Sequence, residues 1–471
     1  MKKRILIIGA GEAGRMVVRE IAAHPESGLE PVGFLDDDAT LAGANVEGLP
    51  VFGVSGDLPG ILGSHPVDEV LIAVPSADRE FVRRMVGLCR DAQVAFKIVP
   101  GLIEIIKGPV HLEQIREVHP DDLLGRETVE FDEPAIQREL SGKRVLITGA
   151  GGSIGGEIAR QVCRFDPAEL FLLGRGENQI FAIEHELKYR FPSLAIEPLI
   201  ADIRNRDRLT AVFADVRPQY VFHAAAHKHV HYMEAFPEEA VLNNIFGTAN
   251  VIDASDAAGA ERLVMMSTDK AVRPHGVMGA TKRLAERLVQ LSSQSNGGMR
   301  AISVRFGNVL GSRGSVVPLF IEQIRARRPV TVSHPDATRF FMTLREACML
   351  VIQASIMGRG GEIFILRMGT PIRIMEIVKD LAALHGLRMD DDVTVSFIGL
   401  RPGEKLNEDL VADSEQVEQS PHEHIFISRP DEASREDLDA IMGELKRLAE
   451  NGDGSGIRRV LDEAIPDARL T

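Results

Sequence analysis

The run Ser267-Thr268-Asp269-Lys270, followed by Met278 and Lys282, sets a hydroxyl, an acid and two amines within one short stretch of chain. A carboxylic acid beside an amine is a candidate acid and base pair, provided burial and neighbours move their proton affinities towards neutrality. An apolar run, Arg262 to Met266, precedes the cluster and reads as a buried parallel strand, while Ala280 to Leu291 reads as an amphipathic helix. Side chains that do chemistry in doubly wound α/β folds gather at the carboxyl ends of strands. Thr268, Asp269 and Lys270 are released together at such an end. Met278 and Lys282 stand one helical turn apart and share a face. Taken alone, the triplet reads as a solvated loop with a helix cap. The elements around it reverse that reading.

Those elements alternate strand and helix twice along the chain. Arg4 to Ile8 is an apolar strand, and Gly9-Ala10-Gly11-Glu12-Ala13-Gly14 follows at once, opening a helix from Arg15 to Ala23. Pro31 to Leu35 is a second strand, ending in Asp36. This order of strand, glycine turn, helix and acid is a dinucleotide fingerprint: the first Gly permits the turn, the second admits a pyrophosphate, and the helix amino terminus attracts its charge. A degenerate module that keeps the turn without the ligand is the competing reading. Strands at Glu69 to Val74 and Ala95 to Val99, with a helix at Arg79 to Asp91, complete a domain over residues 1–110. Residues 111–142 form an irregular, charged linker in which Asp122 to Arg126 makes a compact apolar knot.

A second series begins at Lys143. Its strand runs into Thr148-Gly149-Ala150-Gly151-Gly152-Ser153-Ile154-Gly155, a wider glycine spacing with the same physical logic. The next strand, Glu169 to Leu173, ends in Gly174-Arg175-Gly176-Glu177. A carboxylate at that point would accept a ribose 2′-hydroxyl, whereas Arg175 suits a 2′-phosphate and tilts the cofactor from NAD towards NADP, although Glu177 is close enough to supply the carboxylate. Asp202 and Ile203 close a third strand beside the expected adenine, and the small residues Ala224 and Ala225 after His223 let backbone approach the cofactor. His227, His229 and His231 suggest a metal, but their spacing fits no zinc pattern and no Cys joins them. Lys228 and His229 instead suit a pocket for a phosphorylated substrate. A helix is expected over Pro237 to Ala258, and a strand over Ile302 to Val309 turns Asn308 towards the same cleft. The fold class is α/β: two Rossmann-like doubly wound parallel-sheet domains, the second spanning 143–425 with a smaller C-terminal substrate-binding lobe. Residues 426–471 read as a helical tail, with Arg435 to Ala449 a surface helix.

Composition narrows the partners. The chain has 471 residues, a formal charge of −15, no Trp and three Cys, at 89, 163 and 348. That charge argues against nucleic acid, and three dispersed thiols suggest buried cysteines in a reducing, cytoplasmic setting. No apolar run approaches the ~20 residues of a membrane span. A homo-oligomer is expected.

The segments TGAGGSIG, HAAAHKHVHYME, MSTDKAVRPHGVMGATKR, VRFGNVLGS, PDATRFFMT and RPGEK together resemble the nucleotide-sugar 4,6-dehydratases of the extended short-chain dehydrogenase/reductase superfamily. The resemblance is to the polysaccharide-biosynthesis branch that acts on UDP-N-acetylglucosamine, and it covers nearly all of residues 1–425. It implies a UDP-sugar substrate and a tightly bound, recycled NADP or NAD. Hydride leaves C4, Lys270 removes the C5 proton, Asp269 protonates the departing C6 hydroxyl, and hydride returns to C6. Thr268 would bond the C4 oxygen, Lys282 the nicotinamide ribose, and Lys228, His229, Asn308, Arg339 and Arg401 would line the substrate site. Larger members of the branch carry a membrane region ahead of the first domain, and membrane attachment is not expected to carry over. Met278 stands where the superfamily usually has Tyr; the resembling branch shares the Met, and Asp269 acting through Thr268 is the candidate base for the first step. A UDP-sugar 4-epimerase and a non-catalytic nucleotide-sensing module are the alternatives.

Overall fold

The computed structural model describes residues 2–77, 79–99, 118, 129–293, 298–389, 391–413, 415–429 and 434–470. The knot at 122–126 and most of the expected linker lie outside the described residues. Within them the chain forms two compact units.

The first unit comprises Met1–Glu130, Val316–Thr331 and Met375–Ser396. Its strands are β1 (Lys3–Ile8), β2 (Leu29–Leu35), β3 (Asn45–Val46), β4 (Leu49–Gly53), β5 (Glu69–Ile72) and β6 (Ala95–Ile98), in the order β3-β4-β2-β1-β5-β6. All pairs but β3–β4 are parallel. Ile5 to Ile8 are buried on both faces, as a parallel sheet covered on two sides requires. One face packs on Val17, Val18 and Ile21; the other meets Val82, Met85, Val86 and Cys89, with Leu384 packed against that cluster. Arg83 Nε lies 2.6 Å from Asp380 Oδ1.

The second unit comprises Phe131–Ser315, Val332–Ile374 and Phe397–Thr471. It adds β7 (Arg144–Thr148), β8 (Glu169–Gly174), β9 (Ala195–Ile200), β10 (Tyr220–His223), β11 (Arg262–Thr268) and β12 (Arg300–Phe306). The nine-stranded sheet runs β9-β8-β7-β10-β11-β12, then Ile363–Leu366, then Ile425–Arg429 and Gln416–Gln419. It is parallel as far as Ile363–Leu366 and antiparallel in its last two strands. Strand order reverses between β7 and β10, and ligands of open α/β sheets bind in the crevice at that reversal. This is the α/β architecture expected from the alternation of strands and helices.

The helix foreseen over Pro237 to Ala258 is helical throughout 237–257, with a π-helical stretch Val241–Phe246 between Pro237–Ala240 and Gly247–Ala257. One expectation is corrected. The final helices are not a surface tail. Leu438, Leu445 and Leu448 of Arg435–Glu450, and Ile457 and Leu461 of Gly454–Ala464, are buried in one core with Leu284 and Leu288 of the helix Val277–Ser292. Their apolar stripes, diluted by charged neighbours, face this core rather than water: Gly454–Ala464 packs on Val277–Ser292, and Arg435–Glu450 on Pro237–Ala240 and Val241–Phe246.

Candidate active site

β11 delivers its terminal residues into a short 3-10 turn, Asp269–Ala271, and the turn gathers the reactive groups. Thr268 Oγ1 donates to Asp269 Oδ1 at 2.9 Å, and Lys270 Nζ donates to the same oxygen at 2.9 Å and to Asn308 Oδ1 at 3.2 Å. Asp269 is fully buried, and its Oδ2 has no hydrogen-bond partner among the described residues. A buried carboxylate oxygen left open is costly unless a bound group completes it. Glu408 Oε1 lies 3.6 Å from Lys270 Nζ. Burial pushes the proton affinity of Lys270 down, but Asp269 and then Glu408 outweigh it, so its pKa is raised. The resemblance called for a lysine base with a lowered pKa. The resting lysine is instead an ammonium, because two carboxylates face it.

Lys282 behaves differently. Burial lowers its pKa to about 8, only partly opposed by Glu286. It lies one turn beyond the buried Met278 on Val277–Ser292, and its charge acts on His223 at the end of β10. That places an amine at the sheet's reversal point. The glycine turn after β7 is shaped for close backbone approach: Gly149 has φ +68°, and a Cβ there would stand 2.7 Å from the Ala225 nitrogen; one on Gly155 would stand 2.4 Å from the Gly149 oxygen. Gly152 caps the helix Ser153–Val162, with Ser153 and Ile154 in its first turn. Ala224 N donates to Thr148 O at 3.1 Å, holding the two strand ends together. A helix amino terminus over a glycine turn, with Lys282 of the helix Val277–Ser292 near the end of β10, fits the pyrophosphate and ribose of a dinucleotide.

Further out, Arg175 is exposed and its Nη1 lies 3.9 Å from Asp202 Oδ2. Asp202 is engaged more closely by Arg204, at 2.7 Å from Nη2 to Oδ2, so the carboxylate foreseen for adenine is already ion-paired. Ile203 is buried beneath Gly247.

The substrate residues separate. Asn308 joins the cluster directly. Burial lowers the pKa of Lys228, as do the charges of Arg313 and Lys270, so it lies within electrostatic reach of both. Arg313 itself reaches the glycine turn: its backbone N–H donates to Ser153 Oγ at 2.9 Å and its guanidinium to Gly151 O. His229 packs beside Gly314, and its pKa is likewise lowered by burial. Arg339 is corrected: it is buried, and its guanidinium donates to the carbonyls of Thr338, Leu406 and Lys405 and to Glu404. It shapes the segment carrying Glu408 rather than offering a free cation. Arg401 is exposed, with its backbone N–H held by Glu404 Oε2 at 3.2 Å.

Several contributors were not legible in the sequence. His223 is fully buried, and burial lowers its pKa to about 3, so it is neutral. Thr248 gives its proton to Asn244 O, so His223 Nε2 donates to Thr248 Oγ1 at 3.0 Å and Nδ1 accepts from Thr148 Oγ1 at 2.7 Å. Asn244, in the π-helical stretch, grips the His227 backbone at both its N–H and C=O and donates to Thr281 Oγ1. It thereby ties the Lys228 loop to the helix bearing Lys282. The pair Asn243-Asn244 inside an apolar helix was the available signal, since a buried amide must be spent on something.

In the first unit, Gly14 is packed so closely that a Cβ would stand 1.9 Å from Gly9 O, whereas Gly11 faces open space. Both oxygens of Asp36 already accept backbone N–H groups, from Ala10 at 2.6 Å and Asp38 at 2.8 Å. Asp36 thus fixes the turn. Among the described residues no group of three His, Cys, Asp or Glu could hold a metal, and no helix is long and apolar enough to cross a membrane.

This geometry has relatives. A family model described as polysaccharide biosynthesis protein matches residues 145–430, and one described as CoA-binding domain matches residues 1–100. The capsular polysaccharide biosynthesis protein CapD of Staphylococcus aureus is 41% identical over 446 residues, 94% of this chain and 74% of its own length. A UDP-glucose 4-epimerase of Rickettsia bellii is 34% identical over 281 residues, 58% of this chain and 79% of its own. The X-ray structure of Pen from Bacillus thuringiensis superposes with a TM-score of 0.57 at 36% identity, covering 64% of this chain and 98% of that one. With most of its second unit matched by the family model and nearly its whole length by a relative, the chain belongs to the polysaccharide biosynthesis protein family.

Proposed function

We propose that the chain is a 4,6-dehydratase of a UDP-N-acetylhexosamine, UDP-N-acetylglucosamine in the first instance, working with a recycled NADP or NAD. The observation that carries this is the Thr268–Asp269–Lys270 cluster, in which one buried carboxylate links a hydroxyl and an amine and keeps a second oxygen open. The glycine turn at 149–155, Lys282 and the charges at Arg175 and Arg204 would hold the cofactor, which when bound supplies a hydride acceptor for C4 and a hydride donor for C6. Lys228 and Arg313 would meet the substrate's phosphates.

The residues then divide the proton work. The C4 hydroxyl proton passes to Thr268 Oγ1 while the Thr268 proton moves to Asp269, which bypasses Met278, a side chain that cannot titrate. Lys270, as the amine, accepts the C5 proton acidified by the neighbouring ketone. Asp269 gives its newly gained proton to the C6 hydroxyl, which leaves as water. Lys270 returns a proton to C5 as C6 is reduced, and both groups end as they began. The active pair carries one proton fewer than the resting ion pair, so turnover rises with pH above neutrality.

A UDP-sugar 4-epimerase is the second reading, favoured by the relative of that name. Epimerisation at C4 alone gives a C5 base and a C6 acid nothing to do. Protein incubated with UDP-N-acetylglucosamine in heavy water should yield a 4-keto-6-deoxy sugar with deuterium at C5 and no net use of added NAD(P)H. Lys270→Ala should slow this by roughly 10²–10⁴, the usual contribution of one general base. A C4 epimer with its 6-hydroxyl intact and no deuterium at C5 would refute the dehydratase.

A further inference from the structure

Glu408 is a buried carboxylate to which the reaction above gives no part. Its side chain is 3% exposed, and its Oε2 has no hydrogen-bond partner among the described residues. Three cations face it: Lys270 from the turn after β11 at 3.6 Å, Arg339 from the short strand Thr338–Arg339 at 3.8 Å, and Lys405 from its own segment at 3.8 Å. Two of the three are satisfied elsewhere. Arg339 has Glu404 and three carbonyls, and Lys405 Nζ donates to Val272 O at 2.7 Å. A carboxylate withdrawn from water with one oxygen open is not retained for stability alone, because its desolvation cost exceeds what such long contacts return.

The geometry around Lys270 Nζ supplies the reason. Asp269 Oδ1 at 2.9 Å and Asn308 Oδ1 at 3.2 Å are within hydrogen-bond reach, so they take the two hydrogens of a neutral amine. Glu408 at 3.6 Å is beyond that reach and within the range where an opposite charge stabilises an ammonium. It therefore does not compete for the amine's hydrogens, leaves the lone pair free, and acts once a third proton arrives.

We propose that Glu408 is a positioning residue for Lys270, fixing the amine's field so that it binds the C5 proton more strongly. This rests on the dehydratase reading. Within that reading it makes the segment Arg401 to Leu410 part of the proton chemistry, with Arg339 and Lys405 as the clamps that keep the Glu408 carboxylate in place. The groups that set Lys270 are then Asp269, Glu408 and Asn308 on one side and the charges of Arg339, Lys228 and Lys405 on the other.

The test is the pH profile of deuterium entry at C5, measured by mass spectrometry on the full chain with UDP-N-acetylglucosamine, beside the near-ultraviolet absorbance of reduced nicotinamide formed by C4 oxidation. Removing the negative charge lowers the proton affinity of Lys270. In Glu408→Gln the rising limb of C5 exchange should therefore move to lower pH, by roughly one to three units, the usual effect of an opposite charge at this distance. The plateau rate should fall, because a weaker base removes the proton more slowly, while C4 oxidation is retained. Glu408→Asp, which keeps the charge but draws it back, should shift the limb in the same direction by less, and serves alone if the Gln variant does not fold. A limb that stays in place, or an equal loss of C4 oxidation and C5 exchange at every pH, overturns the proposal and leaves the dehydratase standing. No C5 exchange in the unaltered protein at any pH overturns both.

Discussion

At the scale of single residues, two lysines of the second unit, Lys270 half-buried and Lys282 buried, have proton affinities that run in opposite directions. Lys270 faces two carboxylates and is held as an ammonium; Lys282 has Glu286, one turn further along its helix, to oppose burial and is pushed down to about 8. Residue type is the same, and the count of nearby carboxylates decides. Arg175 is the residue whose expected role is most directly measurable. It and Arg204 set two guanidinium groups beside Asp202, and a guanidinium pairs bidentately with a phosphate. Arg175→Ala should weaken NADP binding several-fold more than NAD binding in calorimetry on cofactor-stripped protein. Equal losses would show that Arg175 does not read the 2′-position.

At the scale of elements, a buried charge network joins the helix Val277–Ser292, β12 and the segment around Glu415. Arg305, fully buried, bonds Glu286 at 2.9 Å and Glu415 at 2.8 Å, and Arg283 reaches Glu415 at 2.7 Å and Glu286 at 3.2 Å. Two cations and two anions cancel, so breaking the set costs more than any one bond. Burial raises the pKa of Glu415, but the hydrogen bonds and charge of Arg305 win and lower it to about 2. A carboxylate depressed in this way contributes stability that is fully present above its unfolded pKa and is lost as pH falls through the folded value. Glu415→Gln should therefore cost about 3–5 kcal/mol near neutrality. The difference from the unaltered protein should shrink between roughly pH 4.5 and 2, as linkage requires. Denaturant titrations at pH 7 and pH 3 check it; a gap of equal size at both would mean the charge is not the cause.

At the scale of the molecule, the first unit gathers two later segments beside the strands and helices of its first hundred residues. Val316–Thr331 and Met375–Ser396 belong to it, with Leu384 packed on the cluster of Val82, Met85 and Val86 and Asp380 paired with Arg83. A fragment ending at residue 110 should therefore expose Val82, Met85 and Val86, exchange the amides of that helix faster than the full chain does, and bind a hydrophobic dye. Protection in the fragment equal to that in the whole chain would show that the later segments add nothing to it.

The sequence by itself determined what depends on local pattern. Short apolar runs such as Ile5 to Ile8 and Val145 to Ile147, each followed at once by a glycine turn that opens a helix, read as buried parallel strands, so the α/β class and the presence of β1, β7 and β11 were readable. The proximity of Thr268, Asp269 and Lys270 was readable because they are adjacent in the chain. What tertiary structure alone decided is whatever depends on the sign and number of charges brought from afar. Glu408 is 138 positions from Lys270, yet with Asp269 it raises the pKa of that lysine. Arg339 looked like a substrate cation and is occupied by carbonyls at 405 and 406. The last helices looked like a charged tail until the core around Leu284 and Leu288 gave their apolar stripes a surface. Proton affinity and burial are properties of the surroundings, and no spacing along the chain states what those surroundings will be.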